Sequence, residues 1–228
     1  MTVEPDVVRL ARTIGDPTRI RMLNLLMEGR ALTAKELAYG AGVEPATGTT
    51  HLQRLLADSL VVSRVQGRHK YFRLASPNVA HCLESMMSVA IPAKPAAERR
   101  SPIQQARFCY DHLAGRLGVA IAHALVARTI LRTTGQQFAL SHKGERWCNN
   151  FGIDIDALRR SRRQFAPLCL DWSERKEHIG GTLGSAIAQR FLDEGWATRE
   201  RDSRVVRLSV AGIRGLRSEF GIRWSSLG

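Results

Sequence analysis

The chain has little from which a secreted or membrane-spanning protein is built. Only four cysteines stand among its 228 residues (Cys82, Cys109, Cys148 and Cys169), and no two form a C-x-x-C pair. Such wide spacing excludes a disulfide framework and a zinc ribbon, and it suits a reducing cytoplasm. No apolar run approaches the roughly eighteen residues of a spanning helix. The longest candidate, Leu117 to Ala127, is interrupted by His123, and the N-terminus carries no secretory signal pattern, so no membrane partner is expected. Gly-rich stretches such as Gly180-Gly181 lack the lysine of a phosphate-binding loop. Acidic residues are scarce: 21 Asp and Glu face 34 Lys and Arg, and the net charge of +13 calls for a polyanionic partner.

What is present begins with an ordered series of elements. Asp16-Pro17 is a helix start, with Asp16 as cap and Pro17 at the first helical position, and Ile20, Leu23 and Met27 follow at helical spacing before Gly29. Thr33 and Glu36 form the pattern of a capping box for a second helix, which ends by Gly42. Glu44 to Leu56 then reads as a third helix, with Leu52, Leu55 and Leu56 on its apolar side and polar residues opposite. The β-rich segment Val61 to Ala75 holds Arg64, Arg68, His69, Lys70 and Arg73 without one carboxylate, and Gln66-Gly67 marks a hairpin tip. Helix, helix, turn, helix and basic hairpin are the parts of a winged-helix DNA reader. The third helix supplies short polar side chains to base edges and the hairpin supplies phosphate contacts. Thr47, Thr49, Thr50, His51, Gln53 and Arg54 are the candidate contacts from the helix, and Arg64, Arg68, His69 and Lys70 those from the wing.

Three separated motifs carry a family resemblance: Ile14 to Leu23, Thr50 to Leu55, and Gly67 to Leu74. Residues 5 to 90 resemble the ArsR family of winged helix-turn-helix regulators. The resemblance implies a homodimer that binds a double-stranded DNA operator and changes its grip when a signal arrives. The chain departs from metal-sensing members of that family. The helix before the recognition helix contains no cysteine. On the last helix, Val79 to Ala90, His81-x-x-Glu84 matches half of an interfacial metal site, but its partners would fall at Arg68 and Lys70, and two cations do not coordinate a metal. The apolar stripe Val79, Leu83, Met86, Met87 and Ala90 reads as a subunit contact.

The length exceeds one such domain by about a hundred residues, so a second domain is expected. Ile91 to Ile103, with Pro92, Pro95 and Pro102, reads as a linker. Beyond it the chain repeats. His112 to Gly118 returns as His178 to Gly184, a shift of 66 residues, and Leu140 to Gly144 returns as Leu208 to Gly212, a shift of 68. Residues 104–228 are therefore read as an internally duplicated unit, with copies at about 104–154 and 165–223, each a helix, a hairpin-like strand region and a second helix.

Both copies offer a cysteine, an aspartate and a histidine ahead of a Gly-containing helix. Cys109, Asp111 and His112 in the first answer to Cys169, Asp171 and His178 in the second, with Trp172 in the polar insert between. Cys109 to Gly115 and Cys169 to Arg175 also resemble the C-terminal part of longer ArsR-type regulators, which implies a regulatory domain without naming its signal. Three uses of these side chains stay open: ligands for a soft or borderline metal ion, the lining of an organic effector site, or buried cysteines beside helix-capping aspartates. Arg159, Arg160, Arg162 and Arg163 form a basic run, read as a solvated helix face.

The expected protein is thus an α+β, mainly helical chain, with residues 1–90 as DNA-binding and dimerisation domain, 91–103 as linker and 104–228 as sensor. It is expected to be a cytoplasmic repressor released by an effector. A regulator without an effector is the alternative, and a Cys/His enzyme fused to a DNA-binding module comes last, because no motif in the sequence marks an oxyanion hole or substrate pocket.

Overall fold

Capping chemistry sets the helix boundaries of the N-terminal half. The computed structural model describes residues 5–91, 100–200 and 203–225. It divides into two compact units, Met1–Leu83 and Glu84–Gly228.

In the first unit α1 (Val7–Ile14) is capped by Asp6, and α2 (Pro17–Leu26) by Asp16, whose carboxylate accepts from the Thr18 and Arg19 amides at 2.9 Å. A short strand β1 (Leu32–Thr33) leads into α3 (Ala34–Ala41), which opens on the capping box of Thr33 and Glu36. Then come α4 (Pro45–Ala57), the hairpin β2 (Val61–Gln66) and β3 (His69–Leu74), and α5 (Pro77–Val89), within which the boundary between the units falls. The three strands form one antiparallel sheet in the order β1-β3-β2, the winged-helix arrangement. Met22, Leu23 and Leu26 of α2, Leu37 of α3, and Leu52 and Leu55 of α4 are buried as its core.

Of the expected linker, residues 92–99 lie outside the described residues, and Pro102–Gln105 forms a one-turn helix, α6, with a capping box from Ser101 and Gln104. The second unit continues with β4 (Arg107–Cys109), β5 (His112–Ala114), α7 (Gly115–Ala127), β6 (Leu131–Thr134), β7 (Gln137–Leu140), α8 (His142–Asn150) and α9 (Ile155–Arg159). After these follow β8 (Leu168–Leu170), β9 (Glu177–Ile179), α10 (Gly181–Asp193), β10 (Ala197–Arg199), β11 (Val206–Leu208) and α11 (Val210–Phe220).

One order of elements thus occurs twice: strand pair, thirteen-residue helix, strand pair, helix. The expected order within each copy, helix, strand hairpin and helix, puts no strand ahead of the long helix. The structure corrects this by placing a two-stranded antiparallel sheet ahead of it, β4 with β5 and β8 with β9. These strands are three residues long, too short to show an alternating pattern.

The two halves interlock. Helix α7 packs on β9, and α10 packs on β5. Glycine makes this possible. A Cβ on Gly118 would stand 2.2 Å from the Leu113 carbonyl oxygen and 3.6 Å from His178 Cβ, and one on Gly184 would stand 2.1 Å from the Ile179 oxygen and 3.1 Å from His112 Cβ. Leu117, Leu125, Leu183, Ile187, Phe191, Leu216 and Phe220 belong to one continuous core beneath.

Candidate functional site

Helix α4 turns Gly48, Leu52 and Leu55 inward, and this fixes what faces out. Gly48 packs so closely on α3 that a Cβ there would meet Ala38 Cβ at 2.7 Å. Thr47, Thr49, Thr50 and Gln53 are exposed. The hydroxyls of Thr49 and Thr50 donate to the carbonyls of Pro45 and Ala46, at 2.9 and 3.3 Å, which holds their rotamers. His51 is half-buried, its Nδ1 3.5 Å from Asp16 Oδ1 and 3.4 Å from an Arg19 nitrogen. Arg54 reaches back to Asp58 at 3.0 Å and to the Thr13 hydroxyl at 3.3 Å. These two therefore anchor α4 to α1 and α2, Arg54 while remaining half exposed, and the other four candidates present their side chains to solvent. On the wing Arg64, Arg68, His69 and Lys70 are all exposed, with Gln66 paired to His69 across the hairpin tip.

In the second unit each strand pair sets a cysteine opposite a histidine. Cys109 pairs with His112, and Cys169 with His178. The donor atoms of all four residues lie within 4.8 Å of one another, and the two Nε2 atoms stand 3.1 Å apart. Cys109, His112 and His178 are buried. The sulfur pair is electronically asymmetric. Its neighbour Cys169, together with burial, pushes the Cys109 thiol up to about 12, and the same contact draws Cys169 below its ordinary value. Cys148 lies in the core and Cys82 is exposed, both outside the cluster.

The aspartates stand behind the histidines. Asp111 Oδ1 is 3.4 Å from His112 Nδ1, and Asp171 Oδ2 is 4.0 Å from His178 Nδ1, which makes no hydrogen bond. Asp171 is fully buried and accepts five bonds: from Arg107 at 2.8 Å, the Gly115 amide at 2.7 Å, the Ser173 amide and hydroxyl at 2.9 and 2.7 Å, and the Glu174 amide at 3.0 Å. Burial alone would raise its pKa, but Arg107 and these donors hold it below the ordinary carboxylate value. Asp111 is likewise lowered, burial being outweighed by Arg163, which grips both its oxygens.

Four charged residues of this site had not been singled out from the sequence as its parts: Glu84, Arg107, Arg163 and Arg204. Glu84, buried on α5, accepts from Arg204 at 2.6 Å, Trp172 Nε1 at 3.1 Å and Arg107 at 3.3 Å, and the Cys109 thiol donates to it at 3.7 Å. Arg107 also lies over the Trp172 ring at 4.8 Å. Trp172 therefore spends its polar edge on this network. The signal for Arg107 was its place inside the apolar run Ala106 to Cys109, where a charge is retained only with a buried partner.

Comparison with known proteins places the chain among DNA-binding regulators. Residues 14–64 match the helix-turn-helix domain family. The chain is 37% identical over 214 residues to the uncharacterized HTH-type transcriptional regulator YdfF of Bacillus subtilis (strain 168), covering 92% of this chain and 95% of that one. It is 32% identical over 88 residues to the HTH-type transcriptional regulator CmtR of Mycobacterium tuberculosis (strain H37Rv), 39% of this chain and 74% of the relative. A solution structure of the homodimeric winged helix-turn-helix DNA-binding domain of Mycobacterium bovis Mb0332, a possible ArsR-family regulator, aligns at 26% identity over 39% of this chain and 89% of that chain, with a TM-score of 0.35. The chain belongs to the HTH-type transcriptional regulators.

Proposed function

We propose that this regulator is a homodimeric repressor of the cytoplasm, that it reads a palindromic operator with α4 and the β2-β3 wing, and that residues 104–228 are an internally duplicated sensor whose effector releases the DNA. The observation that carries the reading is the presence, in one chain, of an exposed polar helix face beside a basic wing and of a buried cluster of cysteine and histidine side chains. Thr47, Thr49, Thr50 and Gln53 offer short polar groups at major-groove reach, and Arg64, Arg68, His69 and Lys70 offer phosphate contacts. His51 and Arg54 serve this surface by holding α4 in place.

Duplication is supported by the repeated order of elements and by the equivalent pairs Cys109-His112 and Cys169-His178. Ser141 and Ser209 add to it, each capping the following helix by accepting a glycine amide at 3.0 Å. Dimerisation is supported by Met86 and Val89, apolar side chains that α5 leaves exposed. Free thiols at all four cysteines fit a reducing compartment.

Fluorescence anisotropy with an operator fragment and a random duplex tests the DNA assignment. Arg68→Ala weakens both complexes and lowers the slope of log affinity against log salt by about one. Thr50→Ala narrows the gap between the two by roughly 1–3 kcal/mol and leaves the slope alone. Equal losses on both sequences for both variants would remove the division between wing and helix.

A further inference from the structure

We propose that Cys109, His112, Cys169 and His178 form a tetrahedral site for one divalent thiophilic metal ion of the zinc class, and that this ion is the signal the second unit reads. The regulatory half of the statement rests on the function proposed above, and the site itself does not.

The orientation of the histidines comes first. Each ring has a carboxylate on its Nδ1 side, Asp111 Oδ1 at 3.4 Å from His112 and Asp171 Oδ2 at 4.0 Å from His178, and turns its Nε2 toward the other ring. The two Nε2 atoms lie 3.1 Å apart beside the two sulfurs, so all four donors can face one point. That spacing is also an ordinary N–H···N hydrogen bond between the rings, so an ion that binds both nitrogens requires the shared proton to leave Nε2. Ligands about 2.0–2.3 Å from a tetrahedral ion stand roughly 3.3–3.8 Å from one another. The four donor atoms, all within 4.8 Å, need to move by only a fraction of that spacing to close on an ion. Asp111, beside His112 Nδ1, is an outer carboxylate of the kind that orients a ligating histidine.

Charge balance selects the ion. Around the donors stand three carboxylates, Glu84, Asp111 and Asp171, and three guanidiniums, Arg107, Arg163 and Arg204, which pair with them. That shell is neutral. Two thiolates among neutral imidazoles carry two negative charges, which a divalent ion cancels and a monovalent one does not. The carboxylates are engaged elsewhere, Asp171 by five donors and Glu84 by Arg107, Arg204 and Trp172, so the donor set is two sulfurs and two nitrogens. That set suits zinc and its surrogates cobalt and cadmium better than magnesium or calcium. Binding displaces the thiol protons to solvent, and no electron is transferred.

The reduced full-length protein is titrated with Co2+ under anaerobic conditions. The expected result is one ion per chain, with the intense d–d absorption of tetrahedral cobalt, a thiolate charge-transfer band, and displacement by Zn2+. Cys169→Ser and His178→Gln lower the affinity by more than the about 10- to 100-fold lost with an outer partner, whereas Cys82→Ser leaves the spectrum unchanged. X-ray absorption at the zinc edge of the loaded wild type reads two sulfur and two nitrogen neighbours, which keeps the test valid where a variant fails to fold. A weak octahedral cobalt spectrum, a zinc shell without sulfur, or a protein that takes up no metal while two thiols oxidise to a disulfide would overturn the site. Operator binding is then measured with and without the ion. A site that loads while the affinity for DNA stays fixed overturns the signalling half alone, and release of DNA by an organic molecule with no metal uptake overturns the site but not the sensor.

Discussion

Asp58 shows how one carboxylate holds two helices of the winged-helix unit. It accepts from the Thr13 hydroxyl, from Arg9 Nε at 2.6 Å, and pairs with Arg54 at 3.0 Å, tying the end of α4 to α1. The Thr13 bond and then the two arginines lower its pKa below the ordinary 3.8 against the opposing effect of burial. A depressed carboxylate stabilises the fold above its unfolded value and loses that contribution as the pH falls through its folded value. Asp58→Asn should therefore cost about 1 kcal/mol at neutral pH, because both arginines are half in water. The gap between wild type and variant in urea midpoint should close on acidification below about pH 4. A gap that widens in acid would reverse the assignment. Asp171 belongs to a different regime, since it and Arg107 are both buried. Asp171→Asn leaves Arg107 with Glu84 alone and should destabilise the second unit by about 3–5 kcal/mol in urea unfolding. A loss below 1 kcal/mol would mean that Glu84 suffices.

At the scale of elements, the helices of the second unit depend on the absence of a side chain at two equivalent places. Gly184→Ala brings a Cβ within 2.1 Å of a backbone oxygen of β9 and against His112, and Gly118→Ala does the same toward β5 and His178. Neither backbone can yield alone, so each substitution should cost about 1–3 kcal/mol or more, read as a fall in melting temperature. Gly195→Ala, with nothing within 4 Å but a positive φ, isolates backbone strain as the control. Indifference at both positions would show that the helices can lift away freely. Such interlocking was only half legible in the sequence. Helices α2 to α4 and the wing could be read because caps at Asp16 and Thr33, apolar spacing and Gly67 are local signals. The cysteines, aspartates and histidines could be named because the repeat aligned them. What was not legible was the strand pair that carries each Cys-His couple, for β4 and β5 turn on Tyr110 at φ 60° and not on an Asn-Gly. Nor were the partners of Arg107 and Glu84 legible, since buried ion pairs join residues 64 and 23 positions apart and leave no trace in local pattern.

At the scale of the whole molecule, the two units carry different spectroscopic labels, and this allows their stabilities to be separated. All four tryptophans, Trp147, Trp172, Trp196 and Trp224, lie in the second unit and none in the first. Tryptophan emission in urea therefore follows the second unit, whereas far-ultraviolet circular dichroism follows both. An ion held by one strand pair from each half joins β4-β5 to β8-β9, so its binding free energy becomes folding free energy of that unit. At a free ion concentration a hundred times the Kd, that amounts to about 2.7 kcal/mol. Chelation should then move the fluorescence transition to lower urea and leave the dichroism transition of the first unit where it was, splitting one curve into two. Cys109→Ser should abolish the response to chelator and not merely lower both midpoints. Should chelation move neither transition, the four donors do not hold an ion that the fold uses. Should it move both together, the units unfold as one, and the continuous helix α5, which crosses their boundary and bears Glu84, becomes the element to break next.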